Sequence, residues 1–301
     1  MMRLFVSDLS KRQVTQMPRF AFLALLLSCS LVNPLQAAPK AELWPRWQAH
    51  DAGNDASIDH RGWEEILGGY LFEGKDGINR FDYAGVNEAD RAGLDRYLER
   101  MAQTDISSYN RDVQRAYWIN LYNALTVREV LRFYPVASIR DISSGFFSFG
   151  PWNKELIEVE GEKLTLNDIE HRILRPIWRD ARIHYALNCA SLGCPNLRVR
   201  AFTGSNTEAM LGQAAREFIN HPRGARVVDG KLQVSSIYVW FIDDFGGDDA
   251  GVIRHLQKYA DPPLINSLKN IRRIDEDDYD WDLNAVTETS DAIRLRPPVD
   301  S

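Results

Sequence analysis

The stretch from Arg111 to Phe133 constrains this chain more than any other. It reads as one long helix, stopped at Tyr134-Pro135 because a proline restricts the residue before it and cannot continue the ladder. Ala116, Asn120, Asn123, Ala124 and Val127 fall along one face, flanked by Tyr117, Trp118, Ile119 and Leu121. Two amides on a small, otherwise apolar stripe imply close approach by another backbone or by a ligand. Amides bonded to a neighbouring loop are the plainer of the two arrangements.

Other elements follow from pattern. Ala89, Ala92, Leu94 and Leu98 mark a helix over Glu88 to Met101. Thr165 with Asp168 three residues on resembles a capping box, and the helix it opens runs to about Leu174, before Pro176. Glu155 to Leu164 alternates around Glu160-Gly161 and reads as a hairpin. Arg182 to Asn188 is a compact apolar run read as a buried strand, and Leu232 to Ser235 as another. Ile237 to Phe245 is open between helix and strand, whereas Val252 to Tyr259 reads as helical. Helices outweigh strands, so the expected class is mixed α/β (α+β), a helix-rich single domain around a small sheet. That domain spans 61–285, between a loose lead-in at 38–60 and a polar, mobile tail at 286–301.

The N-terminus reads as targeting rather than fold. Ala21 to Val32 is an apolar run behind Arg19 and before small residues that end at Ala37-Ala38, the layout of a secretory signal peptide of a bacterial type over 1–37. The run is well short of the ~20 residues that span a bilayer, and no later segment is long enough either. Cleavage is expected after Ala37, with Met17 an alternative start and a lipoprotein site at Cys29 an alternative ending. The expected location is periplasmic or secreted. With a formal charge of −6 and no basic stripe, the chain is a poor partner for nucleic acid. Small-molecule, peptide or glycan ligands suit it better, and nothing in it calls for a cofactor. Of three cysteines, Cys29 lies in the leader. Cys189 and Cys194 remain, and in an oxidising compartment a disulfide between them is the first expectation.

Polar residues in apolar positions supply the candidate site. Leu166, Ile169, Ile173, Leu174 and Ile177 share one face of the short helix, with Glu170 in its middle and His171 on its flank. A carboxylate aimed into a core must find donors or have its pKa raised. The run from Arg182 then ends in Asn188-Cys189-Ala190-Ser191-Leu192-Gly193-Cys194-Pro195, a tight turn of the kind that carries chemistry at strand ends. Strand alternation would set His184 and Cys189 on opposite sides, leaving His171 the freer partner for the thiol.

These same segments carry a resemblance. Ala116-Tyr-Trp-Ile-Asn-Leu-Tyr-Asn-Ala124, Leu164-Thr-Leu-Asn-Asp-Ile-Glu-His171 and His184-Tyr-Ala-Leu-Asn-Cys-Ala-Ser-Leu-Gly-Cys-Pro195 are similar to signature blocks of the domain-of-unknown-function 547 family. Val239-Trp-Phe-Ile-Asp-Asp-Phe245 and Tyr279-Asp-Trp-Asp-Leu-Asn284 resemble its closing blocks. The likeness runs from about Trp63 to Asn284. It implies that the blocks belong to one mixed α/β domain and brings no established reaction.

Three functions are open at this point. In a cysteine-dependent hydrolase or acyl transferase of amide or ester bonds, Cys189 is the nucleophile and His171 the base. Glu170 then orients or acts as an acid, His184 is the reserve base and Asn188 steadies an oxyanion. Adjacent residues diverge by about 100° on an α-helix, which argues against Glu170 orienting His171 directly. Alternatively, a Cys189–Cys194 disulfide pins a ligand-binding domain that uses Asn120, Asn123 and the aromatic loop Phe146 to Trp152. The third possibility is zinc on His171, His184, Cys189 and Cys194. Asp278, Asp280 and Asp282 mimic alternate calcium ligands, but Leu283 stands where an EF-hand needs glycine.

Overall fold

The computed structural model describes residues 38–142, 150–287 and 292–296. The expected signal peptide with Cys29, and Phe146 to Phe149 of the aromatic loop, lie outside the described residues.

Helix α1 (Arg61–Tyr70) runs straight into strand β1 (Leu71–Gly74), which pairs antiparallel with β2 (Asn79–Phe81). Helix α2 (Glu88–Ala102) starts at Asn87, whose side chain accepts from Asp90 N–H. Helix α3 (Arg111–Phe133) is capped by Asn110, which accepts from Asp112 and Val113 N–H, and it ends at the extended Tyr134 before Pro135. Burial along α3 is nearly continuous, so its coverage comes from several sides, as its composition requires. Tyr117 of α3 donates its hydroxyl to the Met101 carbonyl at 2.8 Å, tying α3 to α2. Trp63, Leu67, Phe81, Leu98, Trp118 and Ile169 belong to the larger of two hydrophobic clusters.

Strands β3 (Ile157–Val159) and β4 (Glu162–Leu164) form the expected hairpin. Glu160 and Gly161 both take positive φ, the geometry of a tight two-residue hairpin turn. A π-helical segment, Asp168–Leu174, continues directly into α4 (Arg175–Trp178), which carries Pro176 in its first turn. Next come α5 (Thr207–Asn220), the hairpin β5 (Ala225–Val228) with β6 (Lys231–Ser235), and the short α6 (Ile237–Trp240). Helices α7 (Asp249–Tyr259) and α8 (Pro262–Leu268) precede β7 (Glu276–Asp278), which pairs parallel with β6. These later elements bury the second cluster, including Tyr185, Phe218, Leu232, Tyr238, Phe245 and Leu256.

The mixed α/β class holds, but among the described residues the strands are spread over three small sheets, ordered β2-β1-β8, β3-β4 and β5-β6-β7, rather than gathered into one. Strand β8 (Ala292–Arg294), inside the stretch expected to be a mobile tail, pairs antiparallel with β1. A larger correction concerns Arg182 to Asn188, which is not a strand. Ala181–Tyr185 is a 3-10 helix begun by Asp180, whose carboxylate accepts from Arg182 N–H at 2.9 Å and pairs with the Arg182 guanidinium. An apolar run buried on all sides has no periodicity to separate strand from helix, and a local acidic cap decides it. Among the described residues no helix is long and apolar enough to cross a membrane.

Candidate functional site

The predicted site residues fall into two clusters. Glu170 and His171 come from the π-helical turn, and its start is the reciprocal cap read from the sequence. Thr165 N–H and Oγ1 donate to Asp168 Oδ2, at 3.0 and 2.7 Å, and Asp168 N–H donates to Thr165 Oγ1 at 3.0 Å. The expected divergence of the two neighbours does not occur. The wide i→i+5 winding carries both inward, with Glu170 Oε1 3.9 Å from His171 Nδ1.

His184 completes the group from the 3-10 turn, its Nδ1 3.6 Å from Glu170 Oε1 and its Nε2 2.7 Å from Asp244 Oδ2. Phe241 stacks on its ring at 4.4 Å. Arg175 donates Nε to the same Asp244 oxygen at 2.6 Å, and Nη1 to His171 Nδ1 at 2.9 Å and to the Pro39 carbonyl at 2.7 Å. Because a guanidinium only donates, His171 Nδ1 must accept, which leaves its proton on Nε2 and the ring neutral. Burial lowers the His171 pKa to about 4.

Burial also works against the His184 cation, but its bonds to Asp244 and Glu170 outweigh burial and raise its pKa. Burial pushes Glu170 up, whereas His171, His184 and Arg175 more than offset it and hold the carboxyl at about 2. Asp244, likewise opposed by burial, is held at about 2 by His184 and Arg175. Burial, with the Glu170 carboxylate beside it, raises the Tyr122 phenol pKa well above the usual value. Two carboxylates thus converge on Arg175 and His184 in a largely buried unit. The lead-in covers it, with Glu42 and Trp44 N–H donating to the carbonyls of His171 and Arg172 at 2.9 and 3.0 Å.

Cys189 belongs to a different cluster. Its sulfur stands at disulfide distance from Cys194, with Cα atoms 6.2 Å apart. Its other sulfur neighbours are Ser191 Oγ at 3.3 Å and the Tyr279 hydroxyl at 3.0 Å. Among the described residues it makes no hydrogen bond to His171, His184 or Glu170. Tyr279 is 3.0 Å from Cys194 Sγ as well and accepts from Ser191 Oγ at 3.0 Å, while Cys189 N–H points at Cys194 Sγ at 2.9 Å. The turn is held from outside: Leu192 and Gly193 N–H each donate at 2.8 Å to the carbonyls of Asp282 and Asp280. A Cβ on Gly193 would meet Asp280 backbone atoms at 2.9 Å, so only glycine permits this approach.

The three amides hold backbone. Asn120 donates to the Phe202 carbonyl at 2.7 Å and accepts Phe202 N–H at 3.0 Å. Asn123 donates to the Ala186 carbonyl at 2.9 Å and accepts Asn188 N–H at 2.8 Å. Asn188 bonds the Pro195 carbonyl, Ala190 N–H and Asn284, which fixes Ala190 in a left-handed conformation at φ 61°. The proposed zinc set is not assembled: among the described residues no three His, Cys, Asp or Glu side chains are placed to hold a metal ion.

Open space lies beside the cysteine turn. A cavity of about 450 Å³ has Leu192 and Gly193 of the turn, Tyr279, Arg223, Arg226, Gln233 and four acidic side chains in its lining, with Ile78, Pro222 and Val234 among them. A second, of about 590 Å³, shares Arg223 with it and includes Asn79, Asn196, Arg198, Gln213 and His221. Neither is lined by Glu170, His171 or His184.

Residues 106–219 match the family model described as Protein of unknown function, DUF547. The DUF547 match supports the resemblance seen in the first three sequence blocks; the closing blocks lie beyond it. Asp244 and Tyr279, which complete the two clusters, stand in those closing blocks. No curated protein and no solved structure matches the chain.

Sequence reasoning missed Arg175, Asp244, Tyr122 and Tyr279. Arg175 had a usable signal, a cation beside Pro176 at the end of an apolar face. Asp244 and Tyr279 sat inside quoted motifs, but nothing local tells which acid or ring of such a block turns inward.

Proposed function

We propose that this chain is a ligand-binding domain whose groove is walled by the Cys189–Cys194 turn. The observation that carries this reading is the seating of the 450 Å³ cavity directly on that turn, with Leu192, Gly193 and Tyr279 in its lining. Carboxylates, an amide and guanidinium groups stand around one phenol ring there, interleaved with the apolar Ile78, Leu192, Pro222 and Val234. Planar polar groups of this kind pair with vicinal hydroxyls while a ring supports a sugar face, so the ligand class is a hydroxyl-rich small molecule or glycan. Calorimetric titration of the oxidised protein with a set of oligosaccharides, with short peptides as controls, tests it. Saturable sugar binding weakened at least about tenfold by Arg226→Ala supports the reading. Absence of saturable binding to any sugar overturns it.

The cysteine-hydrolase reading draws less support, because His171 and His184 are engaged by Arg175, Asp244 and Glu170 while the Cys189 sulfur faces Cys194, Ser191 and Tyr279. Ester or amide turnover that Cys189→Ser abolishes would reinstate it. Export through the leader at 1–37 is part of the proposal, checked by N-terminal sequencing of the mature protein after cell fractionation; an N-terminus at Ala38 is expected.

A further inference from the structure

We propose that Cys189 and Cys194 form a thiol-exchange centre, in which Cys189 is the sulfur attacked by an external thiol and Cys194 the sulfur that leaves. Three observations carry it. The two sulfurs differ in access: Cys189 is half-buried, whereas Cys194 is 3% exposed. Cys189 N–H donates to the buried sulfur at 2.9 Å, and the Tyr279 hydroxyl, itself accepting from Ser191 Oγ, stands 3.0 Å from both sulfurs and can donate to whichever becomes the thiolate. A cation sits on the loop between them, where Arg223 Nη1 donates to the Leu192 carbonyl at 2.7 Å and the buried Nε has no partner among the described residues.

Neutral disulfide sulfur is a weak acceptor and gains little from such donors. A thiolate gains much more, because hydrogen bonds to an ionised acceptor are about twice as strong. The arrangement therefore favours the reduced form of Cys194 and makes it a good leaving group. An external thiolate attacks Cys189 Sγ, the Cys189–Cys194 bond breaks, and its electron pair departs on Cys194 Sγ. The mixed disulfide on Cys189 is then attacked at the external sulfur by a second thiolate, releasing the external disulfide and the Cys189 thiolate. Two thiols supply two electrons, and the reverse sequence reoxidises the pair. The reductant is a low-molecular-weight thiol or a dithiol. The wall of the groove would loosen and tighten with this chemistry, but the exchange itself does not require a groove ligand.

The test equilibrates the native mature protein, from Ala38 on, with glutathione and its disulfide over a range of ratios, quenches with acid, alkylates and maps both cysteines by mass spectrometry. Reduction without denaturant is expected, with the glutathione adduct on Cys189 in excess of that on Cys194 by about tenfold or more. Cys194→Ser should accumulate the Cys189 adduct, whereas Cys189→Ser should remain largely unmodified. Tyr279→Phe, which keeps the ring and removes the hydroxyl, should move the equilibrium toward the disulfide by about tenfold. A pair that stays oxidised until the protein is unfolded, equal adducts on both sulfurs, or an equilibrium indifferent to Tyr279→Phe overturns the proposal. Should the serine variants fold poorly, adduct mapping on the native protein and Tyr279→Phe still decide it. Loss of sugar binding with intact exchange would sink the groove reading alone.

Discussion

The Glu170–His184–Asp244 cluster and the Cys189–Cys194 turn each gather residues from separate segments but use polarity in opposite ways. In the first, each charged group is answered by another: Arg175 and His184 share Asp244, and Glu170 takes the other side of His184. In the second, the polar groups of Arg226, Gln233 and Asp280 line open space. A buried, mutually satisfied network serves mainly to hold elements together, here the π-helical turn, the 3-10 turn and the Phe241–Phe245 segment. A partly satisfied polar lining still has capacity for a ligand. Burial and partner count, rather than residue type, separate the two roles.

That contrast can be broken by substitution. Asp244→Ala carries the largest expected effect, because it leaves the buried Arg175 guanidinium and His184 without their shared carboxylate; a loss of about 3–5 kcal/mol in chemical denaturation is expected. A loss under about 1 kcal/mol would mean that the cluster is wetter and looser than described. Asn120→Ala comes next at about 2–3 kcal/mol, since it strands the buried N–H and carbonyl of Phe202, and residual folded protein should bind ligand normally. Weakened binding there would return Asn120 to the site.

The pH dependence of melting sharpens the comparison. His184 has a raised folded pKa, so its contribution is full below the unfolded value of about 6.5 and fades as pH rises through the folded value. His171, lowered to about 4, acts in reverse: its stability is present above about 6.5 and is lost as pH falls toward 4. Burial lowers His60 and His255 to about 4 as well, and they add to the acidic limb. Stability should therefore peak near pH 6.5, and His184→Asn should flatten the alkaline decline while leaving the acidic limb. An unchanged alkaline limb would remove His184 as its source. The smallest stability effect belongs to the groove: exposed Arg226→Ala should cost less than about 0.5 kcal/mol in denaturation while weakening sugar binding.

Much of the helical frame was legible. The apolar face and Pro135 together define α3, and the Thr165–Asp168 cap was readable because its partners are three residues apart. Glu160-Gly161 announced its turn for the same local reason. The stretch from Arg182 was not readable, because the Asp180 cap competes with an apolar run that suits either conformation. The winding at Glu170 and His171 was hidden too, since α-helical spacing assumes 3.6 residues per turn and a π-turn breaks that count. Glu170 stood out as a polar residue in a core position, yet its partners Asp244 and His184 are brought to it by tertiary packing from distant segments. Tyr279 reaches the cysteines from 85 or more positions away, a distance over which no local pattern carries information.

Strand β8 has a practical consequence for anyone shortening this protein. It hydrogen-bonds to the free side of β1, and Leu295 N–H reaches the Leu71 carbonyl at 2.9 Å. A chain cut after 285 would strip that cover and leave Leu71–Gly74 as a bare edge, open to pairing with another molecule. Expression of the shortened form should therefore trade a tidy terminus for self-association, and retaining residues through Arg296 avoids the exchange.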